Sequence, residues 1–203
     1  MPDLTETEIK LYTPELAVIQ HKLQSAGATL SIPRVFERNV RYENAAKDLT
    51  SRGIVVRLRQ DNRALFTYKE PPETITTEEL SHRFEAEVEI SDFATMEVIL
   101  GKLGYAPHLV YEKYRTTYHL DSLEIVLDEM PYGNFTEIEG TPDAIFATID
   151  SLDLGGYTRY KTNYIQLFEN VRRHLRLNFT DLTFENFAGV DVPQRAFDSP
   201  VIE

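Results

Sequence analysis

The chain has 203 residues, 42% of them hydrophobic, enough for one domain with a real core. It contains no cysteine, which excludes disulfides and Cys-ligated zinc or iron–sulfur centres. A net charge of -12 argues against general nucleic-acid binding, yet it leaves room for a small anionic ligand, because a local cationic field can oppose the global charge.

Taken in chain order, Thr5 to Leu11 alternates as a strand, with Glu6, Glu8 and Lys10 on one face. Thr13-Pro14 predicts an N-cap and first-turn proline; Leu16, Ile19, Leu23 and Ala26 follow at helical spacing, and Gly27 stops the helix. Gly53 to Gln60 sets Arg57 and Arg59 against Val56 and Leu58. Asp61-Asn62 makes a hairpin turn, and Ala64 to Lys69 returns with Thr67 and Lys69 together. Pro71 to Ser81, with two prolines, reads as an exposed loop or lid. Arg83 to Ile90 opposes Glu85, Glu87 and Glu89 to an apolar face. Asp92 caps a helix through Met96, Ile99, Leu100 and Leu103 that stops at Gly104. Lys113 and Arg115 flank Tyr114. Leu123 to Glu129 puts Glu124, Val126 and Asp128 on one side, and Glu137 and Glu139 flank Ile138. Thr141-Pro142 opens a helix through Ile145, Ile149 and Leu152 ending at Gly155-Gly156, and another spans about Asn163 to Leu175. Past Asn178, Thr183 to Phe187 predicts a packing segment and Pro193 to Glu203 a tail.

An acidic alternating strand, a capped helix and a glycine recur three times, after Glu6/Glu8, Glu85/Glu87 and Glu137/Glu139. Internal kinship and ordinary strand-to-helix chemistry explain this equally well. The charged strand faces say more. A single charged face is a solvent face, but blocks of Arg/Lys and of Glu on successive strands fit a closed barrel whose charged face lines a lumen. Glutamate pairs suit a hard divalent cation such as Mg²⁺ or Mn²⁺, and Arg and Lys pairs suit phosphate oxygens. Together they predict a site for a metal-bound polyphosphate. The five histidines lack metal-ligand spacing, and Arg172-Arg173-His174 with Arg176 reads as a solvated helix face.

In that order the motifs resemble the CYTH, or triphosphate tunnel, family of class IV adenylyl cyclases, thiamine triphosphatases and inorganic triphosphatases. Glu6-Thr7-Glu8-Ile9-Lys10 looks like its ExExK opening, Arg57-Leu58-Arg59 its RxR strand and Thr67-Tyr68-Lys69 its TxK strand. Glu85-Ala86-Glu87 is similar to its ExE strand and Lys113-Tyr114-Arg115 to its KxR strand. Asp128, Glu137 and Glu139 resemble its late acidic block, and Lys161 with Tyr164 its C-terminal helix motif. The resemblance implies an α+β fold: a closed eight-stranded antiparallel barrel with flanking helices, spanning 1–177, with 178–203 an extension packed on it. It implies metal ligation by Glu6, Glu8, Asp128, Glu137 and Glu139. Phosphate binding falls to Lys10, Arg57, Arg59, Lys69, Lys113, Arg115 and Lys161. Glu85 and Glu87 would hold a second metal, orient water or hold the basic residues. A catalytic tyrosine on the second strand falls on Tyr42, or its position is taken by Arg41. The expected activity is Mg²⁺- or Mn²⁺-dependent triphosphate hydrolysis. The alternatives are class IV adenylyl cyclase and a non-catalytic polyphosphate binder. No apolar run is long enough for a membrane span and the start lacks signal-peptide features, so a cytoplasmic protein with a small-molecule triphosphate partner, without nucleic acid or membrane, is expected. A homodimer is allowed, but no feature demands one.

Overall fold

The computed structural model describes residues 4–72 and 80–198. The loop expected at Pro71 to Ser81 therefore lies, over 73–79, outside the described residues.

Eight strands form one closed antiparallel barrel: β1 (Thr5–Tyr12), β2 (Thr29–Asn44), β3 (Val55–Gln60), β4 (Ala64–Glu70), β5 (Ser81–Ile90), β6 (Tyr105–Leu120), β7 (Leu123–Met130) and β8 (Gly133–Glu139). Around the barrel the order is β1-β5-β4-β3-β2-β6-β7-β8. Five helices flank it: α1 (Leu16–Ser25), α2 (Asp48–Ser51), α3 (Phe93–Lys102), α4 (Pro142–Ser151) and α5 (Tyr164–Leu175). The strand order is unchanged when β1 exchanges with β5, β2 with β6, β3 with β7 and β4 with β8. This exchange relates the first two members of the recurrence, β1 with α1 and β5 with α3, but not the third, since it sets β8 against β4.

Period-two alternation decides which side chains enter the lumen. On β1, Ile9 and Leu11 point out. They pack with Ile19 and Leu23 of α1, Ile145 and Ile149 of α4, and Ile125 and Ile138 of β7 and β8. On the other side Val40, Tyr42, Val56 and Leu58 meet Leu49 of α2 and Leu100 of α3. A third cluster closes one end of the barrel, joining Leu109, Tyr111 and Phe135 to Leu167, Phe168 and Val171 of α5. With its edges joined and much of its outer face under helices, though Phe84 and Val88 of β5 stay exposed, the sheet turns the charged set inward.

Two helix starts are capped by a side chain, Asp92 as expected and Asn163 at the start of the span expected for α5. Asp92 Oδ1 accepts from Thr95 N at 2.7 Å, and Asn163 Oδ1 from Gln166 N at 2.9 Å. The first helix is not. It begins at Leu16, and Thr13 is fully buried, its hydroxyl 2.9 Å from that of Thr136 on β8. Thr13 ties the end of β1 to the barrel instead of capping.

The chain after α5 packs on the barrel. β6 outruns β7, whose pairing with it ends at Tyr114↔Glu129. Along the uncovered stretch Leu182 N donates to Val110 O and Glu112 N to Leu182 O, each at 2.9 Å, and Asp181 Oδ1 accepts from Val110 N. The stretch from Pro193 expected as a tail instead forms a 3-10 turn, Gln194–Ala196, and buries Phe197 to 1% exposure among Tyr12, Tyr132 and Phe135. An aromatic side chain of that size outweighs the loop-like composition around it. Residues 199–203 lie outside the described set.

Candidate active site

The lumen holds a cavity of about 330 Å³ lined by eight cationic and seven carboxylate side chains. A second opening of about 460 Å³ shares Arg59, Glu87, Arg115 and Glu124 with it and adds Ile32, Val35 and Thr117. The charges are sorted by wall. β3 and β4 contribute Arg57, Arg59 and Lys69, and β6 contributes Lys113 and Arg115. β1, β7 and β8 contribute Glu6, Glu8, Glu124, Glu137 and Glu139, with Lys10 of β1 set among them, and β5 is mixed, carrying Arg83, Glu85 and Glu87.

The basic side chains are held by carboxylates beneath or beside them. Glu87 Oε2 accepts from Thr67 Oγ1 at 2.6 Å and Arg57 Nη2 at 3.3 Å, while its Oε1 accepts from Arg59 Nη2 at 3.1 Å. Lys69 bridges Glu6, at 2.7 Å, and Glu85. Lys10 pairs with Glu137 at 3.0 Å, and Arg115 reaches Glu137 at 2.7 Å. Tyr111 lines the cavity with its hydroxyl accepting from Arg57 Nη1 at 2.9 Å. Burial raises its phenol, but Arg57 and Lys113 beside it more than offset that and leave it below the ordinary value.

The acidic wall is less well compensated. Burial, then the Glu137 charge, lift Glu8 to about 7 against the pull of Lys10. Burial, then Glu6 and Glu124, lift Glu139 to about 7. Burial also pushes Glu137 up, but Lys10, Arg115 and Lys113 outweigh it and hold this carboxyl well below the usual range. Crowded carboxylates that resist ionising are the donor chemistry a hard divalent cation satisfies. Glu6, Glu8 and Glu139 fit such an ion by donor type. Among the described residues no three carboxylates have converged into a formed metal cluster; Glu6 and Glu137 are drawn to lysine and arginine instead.

Most of the sequence-predicted site residues meet in this one lumen. Glu6, Glu8, Glu137, Glu139, Glu85, Glu87, Lys10, Arg57, Arg59, Lys69, Lys113 and Arg115 all line it. Three do not. Tyr42 points outward, 3% exposed, and donates to Glu97 Oε1 of α3 at 2.8 Å. Strand alternation sends Arg41 into the lumen in its place. Asp128 is fully buried with both oxygens occupied, by Arg115 Nε at 2.7 Å, Lys113 Nζ at 3.1 Å, Tyr164 OH at 2.8 Å and Arg115 Nη2. It anchors the basic residues from beneath and does not line the cavity. Lys161 is exposed in the segment before α5 and does not line the cavity, whereas Asn163, Tyr164 and Ile165 do.

Several lining residues escaped the sequence reading. Glu37 is 2% exposed, within 3.6 Å of both Arg59 and Lys113, which with Arg115 hold it down to about 2 although burial pushes the other way. Its signal was the alternation Glu37, Asn39, Arg41, obscured by Arg38 on the outer face. Arg83 and Tyr111 sit two residues from named motif positions, and extending each alternation by one step finds them; Glu124 was placed on the Asp128 face but given no role.

A closed barrel with opposed acidic and basic inner walls defines a charged tunnel protein. The CYTH domain model matches residues 4–146, and the chain belongs to the CYTH family. No functionally curated protein shows significant similarity to it. Solved structures share the fold. A candidate adenylate cyclase from Vibrio parahaemolyticus is 16% identical with a TM-score of 0.71, over 83% of this chain and 99% of its own. A Pyrococcus horikoshii protein is 25% identical with a TM-score of 0.61, over 81% and 98%. A candidate adenylyl cyclase from Hippeastrum, described as having a dominant triphosphatase activity, is 20% identical with a TM-score of 0.60, over 81% and 95%. Among the described residues no helix is long and apolar enough to cross a membrane.

Proposed function

We propose that this chain is a divalent-cation-dependent triphosphatase that releases the terminal phosphate of a triphosphate substrate. The observation that carries this reading is the sorting of one lumen into a basic wall and an under-compensated acidic wall. A bound polyphosphate would take over the hydrogen bonds that Arg57, Arg59, Lys69, Lys113 and Arg115 now make to carboxylates. Arginine forks and lysine ammonium groups neutralise charge as the phosphoryl group departs, and the buried setting strengthens each contact. Glu87, Glu85 and Asp128 keep those cations aimed. Tyr111 accepts from Arg57, so its own proton is available to a phosphoryl oxygen. Glu6, Glu8 and Glu139 would hold Mg²⁺ or Mn²⁺. Once bound, such an ion screens phosphate charge and acidifies water. Glu137 is committed to Lys10 and Arg115 and supports them first.

A cavity of about 330 Å³ lies at the small end of ligand sites, about 300–1,000 Å³. That suits a compact polyanion. The triphosphatase activity in the Hippeastrum protein's description favours the same choice. Adenylyl cyclase is the second reading, because the adjoining opening with Ile32 and Val35 gives an attached group somewhere to sit. The test is a product assay on tripolyphosphate, thiamine triphosphate and ATP with Mg²⁺ or Mn²⁺, using Glu8→Gln as control. Phosphate release without cyclic AMP supports hydrolysis. Cyclic AMP with pyrophosphate from ATP overturns it, and tight binding with neither product makes the barrel a polyphosphate binder.

A further inference from the structure

The two halves of the barrel share a strand order but not a cover. Setting Glu6/Glu8 of β1 on Glu85/Glu87 of β5 brings Ile9 to Val88. The ladders carry this match across the outer face: Ile9, Ile138 and Ile125 form one row, and Val88, Phe66 and Leu58 form the other. Ile9 is 2% exposed and Val88 is 56% exposed. The difference is α4, which follows β8 and packs Ile145 and Ile149 over β1. Its counterpart would follow β4, and among the described residues no helix stands between β4 and β5.

The helix beside that gap shows the same missing neighbour. Gly27 and Gly104 each stand just past a helix with positive φ, 84° and 91°. Setting one on the other brings Ile19 and Leu23 of α1 to Met96 and Leu100 of α3, and Lys22 to Ile99. Lys22 faces α4, because its Nζ donates to the carbonyl of Leu152, at the C-terminal end of that helix, at 2.8 Å. Ile99 occupies the corresponding flank of α3, where it is 45% exposed, and Leu103 one turn on is 67% exposed. The place that α4 fills in one half is thus an apolar groove in the other, with Phe84 and Val88 as floor and Ile99 and Leu103 as wall.

This surface is self-complementary, the requirement for a two-fold contact: one chain carries both an apolar helix flank and the apolar strand face beside it. The exposed fractions leave roughly 400 Å² on Phe84, Val88, Val98, Ile99 and Leu103, the size of a functional patch. Homodimer interfaces are about 65% apolar, so one centred here covers roughly 600 Å² per copy. The total, about 1,200 Å², reaches the lower limit for a stable assembly.

Independently of the triphosphatase reading, we propose that the chain forms a two-fold dimer through this groove, each copy's α3 supplying the helix that the other's β5 lacks.

The test is sedimentation equilibrium of wild type, Val88→Lys, Leu103→Lys and Val18→Lys, the last a control at an exposed apolar position on α1. Wild type and the control are expected to shift to twice the monomer mass as concentration rises through the micromolar range. Each groove variant should weaken association by about tenfold or more, with circular dichroism and turnover unchanged, since neither side chain enters the lumen. Each copy carries a net charge of -12, so added salt should screen their repulsion and strengthen the dimer. Should Val88→Lys fail to fold, Leu103→Lys decides. A wild type that stays monomeric overturns the dimer and leaves the groove to another protein's helix. A dimer that survives both groove substitutions, or one that salt dissociates, puts the contact elsewhere on the barrel and overturns the proposal equally. None of these outcomes depends on phosphate release, so failure of the dimer and failure of the triphosphatase reading are told apart.

Discussion

Replacing Glu8 with glutamine should stabilise the metal-free protein above neutral pH. Glu8 is nearly enclosed, and burial with Glu137 nearby raises its carboxyl from 4.5 to about 7. A carboxyl whose value is higher folded than unfolded supports folding fully below pH 4.5. It loses that support as pH rises toward 7. The interval from 4.5 to 7 corresponds to about 3 kcal/mol, an upper figure because the lumen can relax or admit water. Glu139 acts in the same window and direction. Glu137 and Glu37 act oppositely, but their contributions are lost only as pH falls below 4.5, outside that window. In a chain of this size each ~1 kcal/mol moves Tm by about 2–4 °C. Thermal denaturation with chelator at pH 5 and pH 8 should therefore show a wild-type Tm about 5 °C or more lower at pH 8. Glu8→Gln should show a distinctly smaller drop. Mg²⁺ should raise the wild-type value at pH 8 and do little for the variant. A wild-type Tm that is level or higher at pH 8, or an identical drop in both proteins, would refute the reasoning.

Three other substitutions separate roles within the barrel. Tyr42→Phe removes one hydrogen bond to Glu97 on the outer face, so turnover should change less than about twofold; a loss of a hundredfold in kcat would return Tyr42 to the chemistry. Asp128→Ala strips the shared anchor from Lys113, Arg115 and Tyr164 and leaves Arg115 to Glu137 and Lys113 to the more distant Glu37, which should cost about 3 kcal/mol in denaturant titration. A loss under ~1 kcal/mol would mean those cations find other partners. Phe197→Ala should cost about 3–5 kcal/mol by the same measurement, and a near-neutral result would show that the segment is not part of the core.

The barrel was legible because its inner face carries charge where most sheets carry mixed polar residues. Arg57/Arg59, Glu85/Glu87 and Glu137/Glu139 each stand out against aliphatic neighbours. β2 was the hard strand. Its outer face includes Arg38 and its inner face the uncharged Asn39, so period two is blurred there. The ladder with β6 also slips between Arg41 and Tyr42, near Pro107, where no amide proton is available for pairing. That is why Tyr42 and Arg41 could not be told apart from sequence. Thr13 carried a helix-start signal that a distant partner, Thr136, overrode. Asp128 matched an acidic motif, but only the three-dimensional placement of Lys113, Arg115 and Tyr164 shows that its oxygens are spoken for.

The segment around Leu182 works as a donor strand supplied by the chain to itself. Without it, β6 would present the amides of Val110 and Glu112 as an open seam beside the apolar floor formed by Leu167 and Phe168. A polypeptide shortened to the family-matched stretch, 4–146, would carry that seam uncovered and would also lack α5. Its natural filler is the matching strand of a neighbouring molecule, so shortening favours strand exchange and aggregation over a clean minimal barrel.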